Sequence, residues 1–249
     1  CIQKSIVEYK LHMEERELIQ AFKRAFPQTI PVLTGYLFIG MAFGVMFQEK
    51  GYNFLWAALV SIVCYAGSGQ YLAVNFFAPG ISLIQVVFME LMVNIRHIFY
   101  GLSLLERFSG MGKKRWYMIF SLTDETYSLL VTAKVPEDVE EPKFLFAIAF
   151  LDQVYWVIGT IIGSLLGSVL PFEAKGIDFA MTALFLVLMI EQWMEKKNRP
   201  FVVIGIGCAL VWRLIFGADN FILPTMIVMM IILVTGKKRL YEKEKKVCQ

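Results

Sequence analysis

The chain has 249 residues, of which 57% are hydrophobic and 18% charged, and its formal net charge is +3. Its mean hydropathy is +0.60. These values exclude an ordinary soluble globular protein, which would carry more charge, and they predict an integral membrane protein.

The first 30 residues are polar and predict a segment that leads into the membrane. Apolar residues recur here at helical spacing ahead of Pro27 and Pro31, which indicates an interfacial helix; a solvated lead-in is the alternative. Those apolar residues are Leu18, Ile19, Phe22 and Phe26. Because Met13 followed by charged residues resembles a natural start, we expect residues 1–12 to be non-native and dispensable.

Eight apolar runs follow, and most approach the roughly 20 residues that a helix needs to cross a bilayer. They cover residues 31–47, 54–78, 82–105, 116–133, 144–170, 177–194, 201–216 and 221–235. The last two are short, so a re-entrant hairpin is an alternative to two spans. We predict an all-α integral membrane protein of about seven to eight transmembrane or re-entrant helices, with one polytopic transport domain over residues 31–235.

The placement of lysine and arginine predicts that both termini are cytoplasmic. With eight spans and an inner N-terminus, 16 of the 24 Lys and Arg residues fall in inner segments and six in outer segments, in agreement with the positive-inside rule. Residues 106–115 are the exception. Residues 236–249 form a basic tail, which we expect to contact anionic lipid headgroups rather than nucleic acid.

The second run is interrupted by Ala66-Gly67-Ser68-Gly69-Gln70. Glycine weakens a helix by about 1 kcal/mol relative to alanine, and unwound backbone at membrane depth survives only where it lines a cavity or is covered by protein. We predict a broken helix at residues 67–70 whose backbone N–H groups bind a substrate carboxylate. Close helix packing at the glycines is the alternative.

The third run carries a carboxyl, an amide and an imidazole on one helical stripe. At about 100° per residue, Glu90, Asn94 and His97 lie within a narrow arc and Arg96 faces elsewhere. Ionisable groups inside a membrane are costly and usually functional. We predict proton coupling by Glu90 and His97 and substrate binding by Asn94; an interhelical hydrogen-bond seam is the alternative.

The fourth run places Asp124 and Glu125 side by side. Adjacent residues point about 100° apart on a helix, so the two acids cannot share one role. We expect Asp124 to bind a substrate ammonium and Glu125 to form a structural ion pair with Arg96, with Arg213 as the alternative partner. A wet interfacial location of both acids is also compatible with the sequence.

Small residues in the first and fifth runs predict a face for close helix contact. They are Gly40 and Gly44 in the first run, and Gly159, Gly163 and Gly167 in the fifth. Asp152 lies on the same stripe of the fifth run and is predicted to be a proton-coupling group or a member of a buried ion pair. Trp156 in this run is expected to contact the substrate.

Other chemistries lack the residues that they need. The four cysteines include no CxxC pair and histidine occurs only at His12 and His97, so neither a disulfide framework nor a metal site is predicted. The phosphate-binding motif GxxxxGK[ST] is absent. The sequence also lacks the paired nucleophile and base that would indicate an intramembrane enzyme. We expect no enzymatic activity and no cofactor.

Several segments together resemble one family of membrane proteins. They are Phe26-Pro27 with Pro31, Ala66-Gly67-Ser68-Gly69-Gln70, Asn94-Ile95-Arg96-His97-Ile98-Phe99-Tyr100-Gly101, Leu122-Thr123-Asp124-Glu125 and Trp156-Val157-Ile158-Gly159-Thr160. In this order the chain resembles the AzlC family of branched-chain amino acid permeases. The resemblance implies a secondary transporter that exports leucine, isoleucine or valine across the bacterial cytoplasmic membrane with a small multispan AzlD-like subunit.

A transported amino acid needs a match for its carboxylate, its ammonium and its apolar side chain. We expect the carboxylate at residues 67–70, the ammonium at Glu90 or Asp124, and the side chain at Tyr71 or Trp156. Protonation of Glu90 or His97 would couple efflux to the proton gradient. A membrane scaffold or assembly subunit without transport of its own is the alternative, because glycine ladders also favour packing between subunits.

Overall fold

The computed structural model describes residues 2–76, 81–169 and 199–220, scattered positions between 186 and 232, and side chains from residue 13 onward. The chain divides into two compact units, Cys1–Met181 and Thr182–Gln249, and each is described by itself. The single membrane domain expected over residues 31–235 stays a prediction. The predicted spans 177–194 and 221–235 fall largely outside the described residues, and the basic tail 236–249 falls wholly outside them.

The first unit contains eight α-helices within its described residues. They are α1 (Ile2–Glu49), α2 (Phe54–Val63), α3 (Gly67–Asn75), α4 (Leu83–Asn94), α5 (Arg96–Ser103), α6 (Lys114–Phe120), α7 (Asp124–Thr132) and α8 (Glu141–Val169). A short 3-10 turn, Ser109–Met111, lies between α5 and α6. The second unit contributes α9 (Arg199–Asn220), in which Gly217 is non-helical with φ of +77°.

Two of the described helices are long and apolar enough to cross a bilayer by themselves, namely Met13–Glu49 within α1 and Glu141–Val169. A third span results if α4 and α5, which are bent by 41°, are taken together. The predicted spans 54–78 and 116–133 are each divided into two short helices. The described residues therefore confirm the all-helical membrane class and leave the predicted seven to eight helices unconfirmed.

The polar lead-in is part of one long helix and not a separate interfacial one. Helix α1 runs through the expected boundary at residue 30 with Pro27 and Pro31 inside it. In the described part of the lead-in, the buried residues are Ala21, Ala25 and Thr29, whereas Phe26 is 46% exposed. Small side chains let this stretch pack closely on the core of α6, α7 and α8. This packing stabilises the helical conformation around Pro27 and Pro31, which proline by itself would interrupt.

The loop between α7 and α8 is tied to α1 on the outside of the unit. Arg24 Nη2 donates to Asp138 Oδ2 at 2.7 Å and Gln20 Nε2 donates to the same oxygen at 2.8 Å. These hydrogen bonds, that of Arg24 first, lower the pKa of Asp138. Because the folded pKa is the lower one, the contact stabilises the fold at neutral pH and is lost as the pH falls through it.

Large apolar side chains point outward from the short helices. On α2, Leu55 is 62% exposed and Val63 is 61% exposed, and on α4, Ile84 is 82% exposed. Contiguous apolar surface of this kind marks contact with lipid or with another protein. The polar residues Glu90 and Asn94 of α4 instead lie against Gly69 of α3.

The backbones of α1 and α8 meet at the predicted glycine ladder. A Cβ atom added to Gly159 would lie 2.8 Å from the Tyr36 carbonyl oxygen. Added to Gly44 it would overlap the Thr160 carbonyl oxygen, and added to Gly163 it would overlap that of Met41. The ladder residues of the first and fifth runs therefore pack against each other, which confirms the predicted helix-contact face.

Replacing Gly44 by alanine should destabilise the protein, because the new methyl group meets backbone that cannot move aside. Overpacking of this kind costs about 1–3 kcal/mol. Gly35 lies on the same helix with no atom within 4 Å of an added Cβ, so Gly35→Ala is the matched control and should be neutral or stabilising by up to about 1 kcal/mol. Thermal unfolding of both variants in detergent measures the difference; equal midpoints would contradict the close contact.

Candidate functional site

The first helix break lies immediately before α3. Tyr65 has a φ of +23°, an unusual conformation for a large side chain that costs about 1–3 kcal/mol. The expected break at residues 67–70 is thus displaced: these residues form the first turn of α3, and the chain is non-helical at Tyr65 and Ala66. Ala66 offers no side-chain cap, so the first N–H groups of α3 lack an intrahelical partner.

Two further breaks start helices α5 and α7. Helices α4 and α5 are joined through Ile95 with a bend of 41°. Helix α7 begins after Thr123, whose hydroxyl accepts a hydrogen bond from the Thr126 N–H. Each break leaves a helix N-terminus, which carries partial positive charge, and an ionisable residue occupies the first position of both helices.

Arg96 connects the starts of all three helices. Its Nη2 atom donates to Ser68 Oγ on α3 at 2.8 Å and pairs with Asp124 Oδ2 on α7 at 2.8 Å. The Tyr100 hydroxyl donates to Asp124 Oδ1 at 2.6 Å. We call Ser68, Arg96, Tyr100 and Asp124 the arginine cluster. It places a cation and an anion at a junction where three helices begin.

The ion-pair partner of Arg96 differs from the predicted one. We expected Glu125, whereas the structure pairs Arg96 with Asp124. Glu125, one position further along α7, instead accepts a hydrogen bond from Tyr36 on α1. The physical reason is the angle between successive residues at the start of α7: one acid faces α5 and the other faces α1.

Glu90 and Asn94 lie together, as their shared stripe predicts. Asn94 Nδ2 donates to Glu90 Oε2 at 2.8 Å. A Cβ added to Gly69 would lie 2.7 Å from Glu90 Oε2 and 2.8 Å from Asn94 Nδ2. Glu90 Oε1 and Asn94 Oδ1 are buried without a hydrogen-bond partner. The glycine therefore lets the first turn of α3 approach a polar pair that has free hydrogen-bonding capacity.

His97 lies beyond the bend at Ile95, so it meets this pair only through the backbone. Its Nδ1 is 3.1 Å from the Asn94 carbonyl oxygen. The ring packs edge-on against Tyr100 with centroids 5.7 Å apart. The bend thus separates the imidazole from the Glu90 carboxyl, although a straight helix would place both on one face.

Gln70 and Trp156 are joined in a buried hydrogen-bond network. Trp156 Nε1 donates to Gln70 Oε1 at 2.8 Å, and Gln70 Nε2 donates to Ser61 Oγ at 3.1 Å. The Trp156 ring borders Gly67, where an added Cβ would lie 3.3 Å away. Tyr71 is fully buried and donates to the Ile39 carbonyl oxygen. These hydrogen bonds hold the start of α3 against α1, α2 and α8.

A second polar group runs from α7 to α8 and includes residues that the sequence did not single out. Tyr36 is hydrogen-bonded to Glu125 Oε2 and to Thr123 Oγ1, Thr123 to Thr126 Oγ1, and Thr126 to Asp152 Oδ2. We call these five residues the hydroxyl chain. Asp152 is completely buried. The signal for the threonines was their position on either side of the acid pair, a pattern typical of a helix start.

Among the described residues, no group of three or more His, Cys, Asp or Glu side chains is arranged to hold a metal ion.

The family model for AzlC protein matches residues 31–170. The chain belongs to the AzlC family. The matched segment contains every residue of the arginine cluster and of the hydroxyl chain, so both lie within the part that defines this family.

Curated relatives cover most of the chain. Branched-chain amino acid transport protein AzlC of Bacillus subtilis (strain 168) is 39% identical over 94% of this chain and 92% of its own length. An uncharacterized membrane protein of Haemophilus influenzae is 40% identical over 87% and 89%. Inner membrane protein YgaZ of Escherichia coli (strain K12) is 28% identical over 71% and 75%. No solved structure matches this AzlC family member.

A double-mutant cycle should show that Arg96 and Asp124 are energetically coupled. Arg96→Gln and Asp124→Asn should each destabilise the protein, and the double variant should lose less than the two single losses together. Contacting residues of this kind couple by about 0.5–3 kcal/mol. Unfolding by denaturant measures the coupling in each variant. The exposed Arg24 and Asp138 pair is the comparison and should couple more weakly; strictly additive effects at Arg96 and Asp124 would contradict the ion pair.

Proposed function

We propose that this protein transports branched-chain amino acids across the bacterial cytoplasmic membrane. Two observations support the proposal. A relative that is 39% identical over nearly the whole chain is named a branched-chain amino acid transport protein, and the arginine cluster offers opposite charges at membrane depth, where ionisable groups usually serve substrates or protons.

The Arg96–Asp124 ion pair is the single observation that carries the proposed mechanism. A zwitterionic amino acid has the same charge pattern as this pair, a cation next to an anion. Its carboxylate can replace Asp124 at the Arg96 guanidinium, while its ammonium takes the place of Arg96 at the Asp124 carboxylate. The substrate therefore enters without leaving either charge of the partly buried pair without a partner.

The other expected binding residues lie around this ion pair. Ser68 Oγ accepts a hydrogen bond from Arg96. In the first turn of α3, residues 67–70, the uncapped N–H groups of Gly67, Ser68 and Gly69 bind the carboxylate, while the Gln70 N–H is bonded to the Ala66 carbonyl oxygen. Glu90 and Asn94 approach the same turn at Gly69 and present free acceptor oxygens to the ammonium. The apolar side chain of the substrate lies against Trp156, which borders Gly67.

The proposed direction is export, driven by the proton gradient. Glu90, His97 and Asp152 are the groups that we assign to proton coupling, since ionisable side chains within spans commonly relay protons in transporters. A small multispan AzlD-like subunit is the proposed partner. Both termini face the cytoplasm, as the lysine and arginine distribution supports.

The scaffold alternative loses the feature that favoured it. The glycine ladders of the first and fifth runs suggested contacts with other subunits, but α1 and α8 use them against each other. The ladders are therefore explained by the fold of a single chain. The partly buried ion pair at Arg96 has no role in a scaffold that a hydrophobic contact would not serve as well.

Leucine should stabilise the purified protein, and Arg96 should be required for this effect. A ligand at 100 times its Kd adds about 2.7 kcal/mol to the free energy of unfolding. Isoamylamine, which is leucine without its carboxylate, and aspartate should not raise the Tm. Arg96→Lys should weaken the leucine effect because lysine cannot form the two-pronged contact to a carboxylate.

The control variant for that measurement is Arg24→Lys, which changes an arginine of an exposed ion pair and should leave the leucine effect intact. Stabilisation of wild type and Arg96→Lys to the same degree would remove Arg96 from the binding site. No stabilisation of the wild type by leucine, isoleucine or valine would contradict the substrate class.

Leucine efflux from preloaded proteoliposomes should increase when an imposed pH gradient drives protons inward, and it should rise further with an AzlD-like subunit. Glu90→Gln should reduce the response to the gradient because an amide cannot take up a proton. Gln85→Ala on the same helix is the control. Efflux that ignores the gradient would contradict proton coupling, and normal flux in Glu90→Gln would exclude Glu90 from it.

A further inference from the structure

The hydroxyl chain connects two carboxyl groups on different helices without a gap. Glu125 Oε2 is 2.9 Å from the Tyr36 hydroxyl, which is 2.5 Å from that of Thr123. Thr123 Oγ1 is 3.0 Å from Thr126 Oγ1, which is 2.9 Å from Asp152 Oδ2. All four contacts are within the range of O–H···O hydrogen bonds.

The hydroxyl chain has enough hydrogens for all of its hydrogen bonds only when one of its two carboxyl groups is protonated. Four oxygen–oxygen contacts each need one hydrogen, and the three hydroxyl groups supply only three. If both carboxyls are ionised, one contact brings two oxygens together without a hydrogen, which is costly in a buried place. If Glu125 or Asp152 carries one proton, every contact is satisfied. The chain is therefore complete with one proton shared by its two ends.

We propose that Glu125 and Asp152 share one proton, which moves between them through the hydroxyls of Tyr36, Thr123 and Thr126. The protonated Glu125 donates to Tyr36 while each hydroxyl passes its own hydrogen to the next oxygen, and Thr126 protonates Asp152. One O–H bond breaks and one forms at each hydroxyl. The net change is one proton moved from Glu125 to Asp152, with every hydrogen bond reversed.

Each end of the chain lies in a distinct environment. The Glu125 carboxyl feels the charges of Asp124 and Arg96, so it borders the arginine cluster. Around Asp152 the titratable groups are Tyr36, Tyr65, Tyr117 and Tyr155. Asp152 Oδ1 is buried without a hydrogen-bond partner, and the Tyr65 hydroxyl lies beside Thr126 and Tyr36. Transfer therefore moves one negative charge between the substrate site and the buried face of α8.

This inference rests on the proposed transport, because it names how a proton reaches the substrate site. When Glu125 is ionised, its charge favours a substrate ammonium beside Asp124 and Arg96. When the proton returns to Glu125, that attraction weakens and Asp152 takes the charge. The protonation of a fully buried carboxyl on α8 is thereby linked to the affinity of a site on α5 and α7.

Infrared spectroscopy of the purified full-length protein at neutral pH tests the shared proton without any substrate. In a difference spectrum, the wild type should show one protonated carboxyl band that both Glu125→Gln and Asp152→Asn remove, since either amide N–H supplies the fourth hydrogen. The double variant should lose no more than each single variant. Losses that add together, or a band that only one variant removes, would overturn the proposal.

Cutting the chain at opposite ends should localise the proton on opposite carboxyls. In a Thr126→Val background Asp152 is isolated and protonated, so Glu125→Gln should leave the band in place and Asp152→Asn should remove it. In a Tyr36→Phe background the outcome should be the reverse. If the two backgrounds give the same pattern as the wild type, the hydroxyls do not connect the carboxyls.

Matched controls separate the chain from general packing. Thr126→Ser keeps the hydroxyl and should behave as the wild type. Thr29→Val removes another buried hydroxyl between α1 and α8, one that bonds to Tyr155, and should leave the band and its response to Glu125→Gln unchanged. Should Thr126→Val fail to fold, the Tyr36→Phe background alone decides, because a localised proton on Glu125 is its distinct prediction.

A transport measurement tests whether the hydroxyl chain serves the proposed function. In proteoliposomes with leucine and an internal pH indicator, Thr126→Val and Tyr36→Phe should lose leucine-driven proton movement while leucine exchange continues. If the wild type moves no leucine, the proposed function is wrong, and the infrared result still decides on the shared proton. If the infrared pattern holds but proton movement survives both variants, the chain is not the coupling path.

Discussion

The contact of two helix backbones at glycine positions determines where the two ends of the hydroxyl chain lie. Because Gly44 and Gly163 have no side chains, α1 and α8 approach until carbonyl groups of one helix meet Cα atoms of the other. This distance brings Tyr36 of α1 to α7 and places Asp152 of α8 opposite Thr126. Larger residues at the crossing would separate the helices and interrupt the hydroxyl chain at both ends.

Three short helices begin beside this pair, and their starts explain how polar groups are tolerated within the predicted spans. Backbone N–H groups at a helix start have no intrahelical acceptor and must find other partners where water is excluded. Thr123 caps α7 with its hydroxyl, while Arg96 and Asp124, at the first positions of α5 and α7, pair with each other. Broken helices thus create a place where opposite charges pair, and this is the place where we propose that a charged substrate binds.

The two polar clusters meet at the start of α7, where two adjacent acids have different partners. Asp124 belongs to the arginine cluster and Glu125 to the hydroxyl chain. In the proposed mechanism, a substrate that competes for Arg96 changes the electrostatic environment of Glu125, one residue away from Asp124. We therefore expect the proposed transport and the proposed proton transfer to be coupled through the adjacent residues Asp124 and Glu125.

Local patterns in the sequence predicted what depends on one helix at a time, whereas contacts between helices were decided by the tertiary structure. The glycine spacing determined the contact face of α1 and α8, and the helical period determined that Glu90 lies beside Asn94. The partner of Arg96, the separation of His97 by the bend at Ile95, and the alignment of three hydroxyls between Glu125 and Asp152 could not be derived in that way. They depend on the directions in which broken helices leave one another, and those directions arise from packing among residues that are distant in the chain.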